Sequence, residues 1–194
     1  ALSSHYLSQS QPSDAIQYYE IGTRILESTK FTDEEKKDAQ EMINIHAWNF
    51  SCLLLKLQNF SSGWKMFEYG LQAPAEGPQR WQRALTKPFT SSQLPLWRGE
   101  SLRGKKLLVL EEQGIGDGMM FLTLLPRLID EALSLTVVIT KRLYAIYTRS
   151  FESYIKAGSL KIITMVDLRE LRYSFSDFDF QTPIGSICQY RYMD

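Results

Sequence analysis

The residues best placed to do chemistry lie in Leu107-Leu108-Val109-Leu110-Glu111-Glu112-Gln113-Gly114-Ile115-Gly116-Asp117-Gly118-Met119-Met120-Phe121. An apolar run gives way to a glycine-rich loop, and one acid, Asp117, stands where a helix should begin. In an open α/β sheet this is the ligand-facing end of the first strand. A carboxylate there faces the cleft and is available for acid–base work. Gly114, Gly116 and Gly118 let the backbone turn tightly and approach a ligand without Cβ obstruction. N–H groups at the helix start can bind a phosphate or a polarised oxygen. A second reading stands beside this one: Asp117 is the N-cap of the helix through Phe121, a role that contributes about 0.5–2 kcal/mol.

Neither common nucleotide fingerprint is present. The glycine spacing is not that of a dinucleotide site, and Ile139-Thr140-Lys141 follows the next strand where an acidic residue would be needed. No Lys-Ser or Lys-Thr follows the glycines, so the loop is not a Walker loop. Lys141 and Arg142 fall on the ligand side of the second strand and can touch an anion, although solvated helix-start residues look the same. His46 reads as a half-buried, satisfied histidine, and Met119-Met120-Phe121 as core. Nothing near Cys188 activates its thiol. Asp177 and Asp179 have Asp-x-Asp spacing, but before or within a strand rather than after one, so no metal ligation is expected.

The elements that must position the loop follow from periodicity. The chain of 194 residues suits one large domain or two small ones. Its first part, residues 1–72, reads as helices. Pro12-Ser13-Asp14 opens one with the stripe Ala15, Tyr18, Tyr19, Gly22, Ile25 and Leu26. Thr32 or Asp33 caps the next, whose first turn carries Glu34 and Glu35. Its apolar face is Ala39, Met42, Ile43, Ala47, Phe50, Leu54 and Leu57. A third begins near Ser61 and carries Trp64, Phe67 and Leu71. Residues 105–194 alternate instead: strand Leu107–Leu110, helix Met119–Ala132, strand Leu135–Ile139, helix Leu143–Tyr154, strand Leu160–Thr164 and a short strand Phe178–Phe180. Nearly continuous apolar strands separated by helices make βαβ units and a parallel sheet. Between these parts, residues 73–104 are rich in Pro, Gly, Ser and Gln. With Trp81, Phe89, Leu96 and Trp97 to bury, they read as an extended strap packed across both halves.

Composition excludes several classes. The 22 basic and 22 acidic residues cancel, so no global field attracts nucleic acid or an anionic membrane. The apolar share of 44% suffices for a packed core. Two cysteines, Cys52 and Cys188, do not make a disulfide framework, and a reducing cytoplasm fits them. Two histidines, His5 and His46, have no partner spaced to share a metal. No apolar run approaches the ~20 residues of a membrane-spanning helix.

Ala15, Tyr19 and Gly22 have a small–aromatic–small spacing, and Phe60, Gly63, Phe67 and Gly70 repeat the idea. This resembles the tetratricopeptide repeat, whose small residues admit close helix approach. An enlarged helix over Asp33–Leu57 accounts for the irregular period. The resemblance implies a peptide-binding array.

A second resemblance rests on four segments in order: Asn59-Phe60-Ser61-Ser62-Gly63-Trp64-Lys65-Met66-Phe67-Glu68-Tyr69; Pro95-Leu96-Trp97-Arg98-Gly99-Glu100 with Leu102-Arg103-Gly104-Lys105; Glu112-Gln113-Gly114-Ile115-Gly116-Asp117 with Phe121 and Pro126; and Phe178-Asp179-Phe180 with Pro183-Ile184-Gly185-Ser186. Together they are similar to bacterial tetratricopeptide proteins with a C-terminal glycosyltransferase-like domain, related to the heptosyltransferases. Leu122-Thr123 and Ile187-Cys188 depart from that family's usual residues. The resemblance implies a Rossmann-like acceptor-side lobe of a two-lobed, inverting glycosyltransferase. Asp117 is then the general base, and Glu112, Gln113, Gly114, Gly116 and Gly118 contact substrate. The chain stops at Asp194, before a second lobe, so the expectation is a lobe without its donor site. A nucleotide sugar is the donor expected for a longer parent. The alternative is a non-catalytic tetratricopeptide binding module capped by an α/β subdomain. Expected partners are a protein or glycan acceptor held by the repeats, and a second copy of the chain across an exposed sheet edge.

Overall fold

A computed structural model describes residues 12–72, 91–112, 114–170 and 173–191. The chain divides into two compact units, Ala1–Ala84 and Leu85–Asp194.

In the first unit three helices follow one another: α1 (Pro12–Ser28), α2 (Lys36–Lys56) and α3 (Phe60–Phe67), the last continued by a 3-10 turn over Glu68–Leu71. In the turn just ahead of α2, Thr32 and Glu35 exchange hydrogen bonds in the pattern of a capping box. The Thr32 N–H and hydroxyl donate to Glu35 Oε2 at 2.9 and 2.8 Å, and Glu35 N–H donates back to Thr32 Oγ1 at 3.4 Å. These bonds hold the Glu35 carboxyl below its ordinary range. At the other end Gln58 takes the left-handed conformation (φ 63°). Its N–H donates to Leu55 O at 3.0 Å and that of Asn59 to Leu54 O at 2.9 Å, which is the Schellman arrangement. Asn59 then caps α3 through Ser62 N–H.

The core of this unit is Ala15, Tyr19, Ala39, Ala47, Leu53, Leu54 and Phe67. Three members of the expected stripes, Ile25, Met42 and Leu57, are exposed instead. Small residues sit where helices meet most closely. A Cβ at Gly22 would lie 2.8 Å from His46 Cε1, and one at Gly63 would lie 2.7 Å from Leu55 Cδ2 and 3.2 Å from Leu55 N. Gly63→Ala is therefore expected to cost about 1–3 kcal/mol through overpacking, read as a lower urea midpoint with unchanged m-value; an unchanged midpoint would show that Leu55 can yield.

The second unit is α/β and Rossmann-like. Strands β1 (Lys106–Leu110), β2 (Ser134–Val138), β3 (Leu160–Ile163) and β4 (Phe180–Pro183) form one sheet in the order β3-β2-β1-β4. All three pairings are parallel, with Leu108 opposite Thr136 on one side and Gln181 on the other. Leu107 to Leu110 are fully buried, as both-face coverage requires.

The connection expected as one helix over Met119–Ala132 is two: α4 (Ile115–Leu122) and α5 (Leu125–Glu131). Pro126 supplies the reason. It lacks the N–H that a continuous helix would bond, but it is tolerated in the first turn of a new one. Likewise the helix expected over Leu143–Tyr154 is α6 (Lys141–Ser150) and α7 (Glu152–Lys156), joined at Phe151. After β3 come α8 (Met165–Glu170) and, after β4, α9 (Ile187–Arg191).

Strand β4 starts later than its apolar residues suggest. Ser174 N–H donates to Asp177 Oδ2 at 2.7 Å and sets a 3-10 turn over Phe175–Asp177. Asp179 accepts from Lys106 N–H at 2.8 Å and from Lys105 Nζ at 3.1 Å. These contacts hold its carboxyl below the usual range, the backbone bond foremost. Asp179 thus stands at the amino end of the sheet, opposite the ligand-facing edge.

The strap must be redrawn. Residues 73–90, with Trp81 and Phe89, lie outside the described residues. The described part, 91–104, is built into the α/β unit rather than forming a separate region. Leu96 bridges Gln181 in parallel, Gln181 N–H donates to Pro95 O at 3.0 Å, and Trp97 N–H donates to Gln181 O at 2.9 Å. The buried Gln181 amide also donates to Leu94 O at 2.8 Å. Peptide pairing therefore covers the outer edge of β4, and the exposed edge expected to recruit a second copy is not on that side.

Candidate functional site

In the order β3-β2-β1-β4 the chain winds one way from β1 and the other way to β4. The switch point, where open α/β sheets hold ligands, lies beyond the carboxyl ends of β1 and β4. The loop 111–118 and the turn Ile184–Ser186 meet there.

Asp117 is half-buried in the first turn of α4. It is not the N-cap, because the helix begins at Ile115 and Gly114 occupies the cap in extended conformation (φ −94°, ψ 172°). From the third helical position the Asp117 carboxylate reaches back, and Oδ2 accepts from Gly114 N–H at 3.1 Å. The other oxygen, Oδ1, accepts no hydrogen bond among the described residues. The negative charge lies in the positive first turn, where it is favoured.

The glycines prove unequal. Gly116 has open space where a Cβ would stand. At Gly114 a Cβ would lie 3.1 Å from Asp117 Oδ2, and at Gly118 one would lie 2.9 Å from Glu111 Oε1. The steric demand comes from the protein's own carboxylates. Gln113 lies outside the described residues. Of the three residues read as core, only Phe121 is buried; Met119 and Met120 are 48% and 53% exposed and, with Ile115, form an apolar rim on α4.

Two glutamates at the end of β1 tie it to both neighbours. Glu112 is 2% exposed, and its Oε1 accepts from Gly185 N–H at 2.9 Å across the switch point. This fixes the two loops in one arrangement. Glu111 points the other way. Its N–H donates to Val138 O at 2.9 Å, and its Oε2 accepts from Thr140 N–H just after β2. Its Oε1 is buried with no hydrogen-bond partner among the described residues. Burial pushes the Glu111 carboxyl up from its ordinary 4.5, and the Thr140 N–H only partly offsets this. Glu111 escapes a reading of the sequence that weighs only the loop. Its signal is an acid directly after a continuous apolar strand, one that ends against a buried glycine.

The sign of that shift gives a test. The folded protein holds the Glu111 proton more tightly than the unfolded chain does. The stability this provides is complete below 4.5 and is lost as pH rises through the folded value. Glu111→Gln removes the buried charge while keeping an acceptor for Thr140 N–H. The variant is expected to equal or exceed the wild-type melting temperature at pH 8 and to lose the decline on going up from pH 4.5. A larger loss of stability at pH 8 than at pH 4.5 would show that the charged form is the favoured one.

The remaining candidates separate by location. Lys141 lines a cleft at the carboxyl ends of β2 and β3; Arg142 is exposed and does not line it. In the helical unit His46 stacks on Tyr19 with ring centroids 4.1 Å apart. Its Nε2 lies 3.1 Å from Tyr19 O and 3.2 Å from Thr23 Oγ1. Burial lowers its pKa from 6.5, so it is a packed, hydrogen-bonded histidine. His5 lies outside the described residues. Among the described residues Cys188 is buried, neither cysteine is in a disulfide, and no three His, Cys, Asp or Glu side chains gather as a metal site. No described helix is long and apolar enough to cross a membrane.

No family model matches the chain, and no solved structure matches it. Among curated proteins it is similar to Protein FlbA of Caulobacter vibrioides, with 31% identity over 103 residues. The match takes in 51% of this chain and 16% of that protein, so the chain spans a small part of the relative's length.

Proposed function

We propose that the α/β unit is the acceptor-side lobe of an inverting glycosyltransferase, and that the helical unit is a tetratricopeptide-like module recruiting the acceptor. The observation that carries this is the Asp117 carboxylate. It stands beyond the central strand at the switch point, one oxygen fixed by Gly114 N–H and the other without a partner among the described residues. A base so placed takes the proton of an acceptor hydroxyl as that oxygen bonds to the anomeric carbon. The bond from that carbon to the nucleoside diphosphate breaks, its electrons leave with the diphosphate, and the configuration inverts. Glu112 holds the facing loops, and the open space at Gly116 lets a ligand approach the backbone. The donor is a nucleotide sugar bound by residues beyond this lobe, since positioning both partners provides much of the rate. In the helical unit, the close approach at Gly22 and Gly63 supports the repeat-like reading. Two cysteines outside any disulfide suit a reducing cytoplasm.

The test is transfer itself, with the natural protein containing these residues, a panel of labelled nucleotide sugars, and NMR assignment of the product anomer. An inverted glycoside is expected. Retained configuration, or no transfer from any donor, overturns the reading. A binding module without catalysis is the second reading, favoured by the bond of Asp117 to its own helix cap. It predicts that residues 1–72 within the whole chain capture a peptide while the α/β unit turns over nothing.

A further inference from the structure

The cleft beyond β2 and β3 is not used by the mechanism above. It has a volume of about 620 Å³, within the usual range for small-molecule sites. Its floor is Thr140 and Thr164; Lys141 and Tyr144 of α6 form one wall, and Val166 and Asp167 of α8 the other. Both Tyr144 and Val166 are exposed, at 39% and 58%.

The charges are opposed but unjoined. Asp167 Oδ2 accepts from Thr164 N–H and Oγ–H, each at 2.7 Å. Those bonds lower its pKa, and the Lys141 ammonium adds to the effect through space. Lys141 nevertheless closes no ion pair among the described residues. It and Arg142 open α6 with no carboxylate in the first turn, where the helix dipole disfavours cations. An anion entering the cleft would relieve that repulsion, while Asp167 keeps its capacity to accept hydrogen bonds. A ligand must therefore offer one negative group toward Lys141, hydroxyl donors toward Asp167 and a flat face toward the Tyr144 ring.

We propose that this cleft is a subsite for a sugar ring bearing a carboxylate, and that it seats the acceptor of the transfer proposed above. Glu111 links it to the base loop, since the carboxyl that packs against Gly118 also accepts from Thr140 N–H on the cleft floor. With strands about 4.8 Å apart, the middle of the β2–β3 gap lies about 7 Å from the end of β1. The cleft and the Asp117 loop therefore lie along one edge of the sheet, and the acceptor role requires a ligand long enough to reach from one to the other. The acceptor role rests on the transferase reading; the binding does not.

The test titrates the whole chain with glucuronate, glucose and inorganic phosphate, following amide shifts by NMR. Glucuronate is expected to bind saturably, with glucose and phosphate each about tenfold weaker or more. Lys141→Gln and Tyr144→Ala should each weaken glucuronate about tenfold. Both side chains are exposed, so unchanged urea midpoints should confirm that the variants fold. No saturable glucuronate binding, equal binding of phosphate or glucose, or unaltered affinity in Lys141→Gln each overturns the subsite. Glucuronate binding in a protein that transfers nothing keeps the subsite and removes the transferase reading. Transfer to a neutral acceptor at full rate in Lys141→Gln does the reverse.

Discussion

Asn at position 117 is expected to lower turnover about 10²–10⁴-fold, the usual worth of a positioned base. The substitution is close to isosteric. The Asn carbonyl can still accept from Gly114 N–H, the bond that now holds Oδ2 at 3.1 Å. What disappears is the capacity to take a proton. The stability cost should be only about 0.3–1 kcal/mol, the value of one negative charge in a first helical turn. Asp117→Ala also loses the hydrogen bond at the helix start, so it should show the same loss of rate with an added stability cost of about 0.5–2 kcal/mol. The rate loss belongs in kcat with KM little changed, because the base acts as the acceptor oxygen attacks. The measurement is steady-state transfer by the natural protein alongside thermal melts. Full turnover in Asp117→Asn would leave the residue with nothing but its role at the helix start.

Trp97→Ala should be the most destabilising single change in the α/β unit, at about 3–5 kcal/mol. Trp97 is 2% exposed. Its indole N–H donates to Glu100 O at 2.8 Å, Tyr190 meets it edge-on at 5.3 Å, and the Arg191 guanidinium lies 4.8 Å over its ring. Its backbone N–H also pairs with Gln181 O, so loss of the ring loosens the segment that covers β4. A loss of this size is a large part of the ~5–15 kcal/mol that holds a typical domain together. Trp97→Phe separates the terms: it keeps an aromatic against Tyr190 but forfeits the Glu100 bond, worth about 0.5–1.5 kcal/mol. Urea unfolding of both variants gives the comparison. A deficit under about 1 kcal/mol for Trp97→Ala would mean that the segment 91–104 closes over the cavity.

Much of the site's frame was legible because short-range rules govern it. The run Leu107–Leu110 can only be a strand covered on both faces, and the glycines after it mark the turn to a helix. Reading stopped short where partners far along the chain decide. The cap reading of Asp117, one of the two the sequence allows, follows from the usual place of an acid before an apolar helix. In the fold, Gly114 supplies the extended cap conformation and the acid moves to the third position. Glu111 and Glu112 look alike in sequence, yet one turns to Thr140 and the other to Gly185, residues 29 and 73 positions away. The Asp-x-Asp spacing of Asp177 and Asp179 gives no hint that Lys105 and Lys106 hold Asp179 at the amino edge of the sheet. Met119 and Met120 read as core from hydrophobicity alone, which does not say on which side of α4 the sheet lies.

The amino-acid order by itself determined the local elements: helices and then a parallel α/β unit, a glycine turn after the first strand, and the acid within it. These depend on periodicity, steric allowance and donors present or missing within a few residues. The tertiary structure alone decided the order β3-β2-β1-β4, the pairing of Leu96 with Gln181, the division of two adjacent glutamates between two neighbours, and the Lys141–Asp167 cleft. Each joins residues distant in sequence. Their energies arise only when burial strips water from carboxylates and peptide groups, so nothing within a short stretch of chain can reveal them.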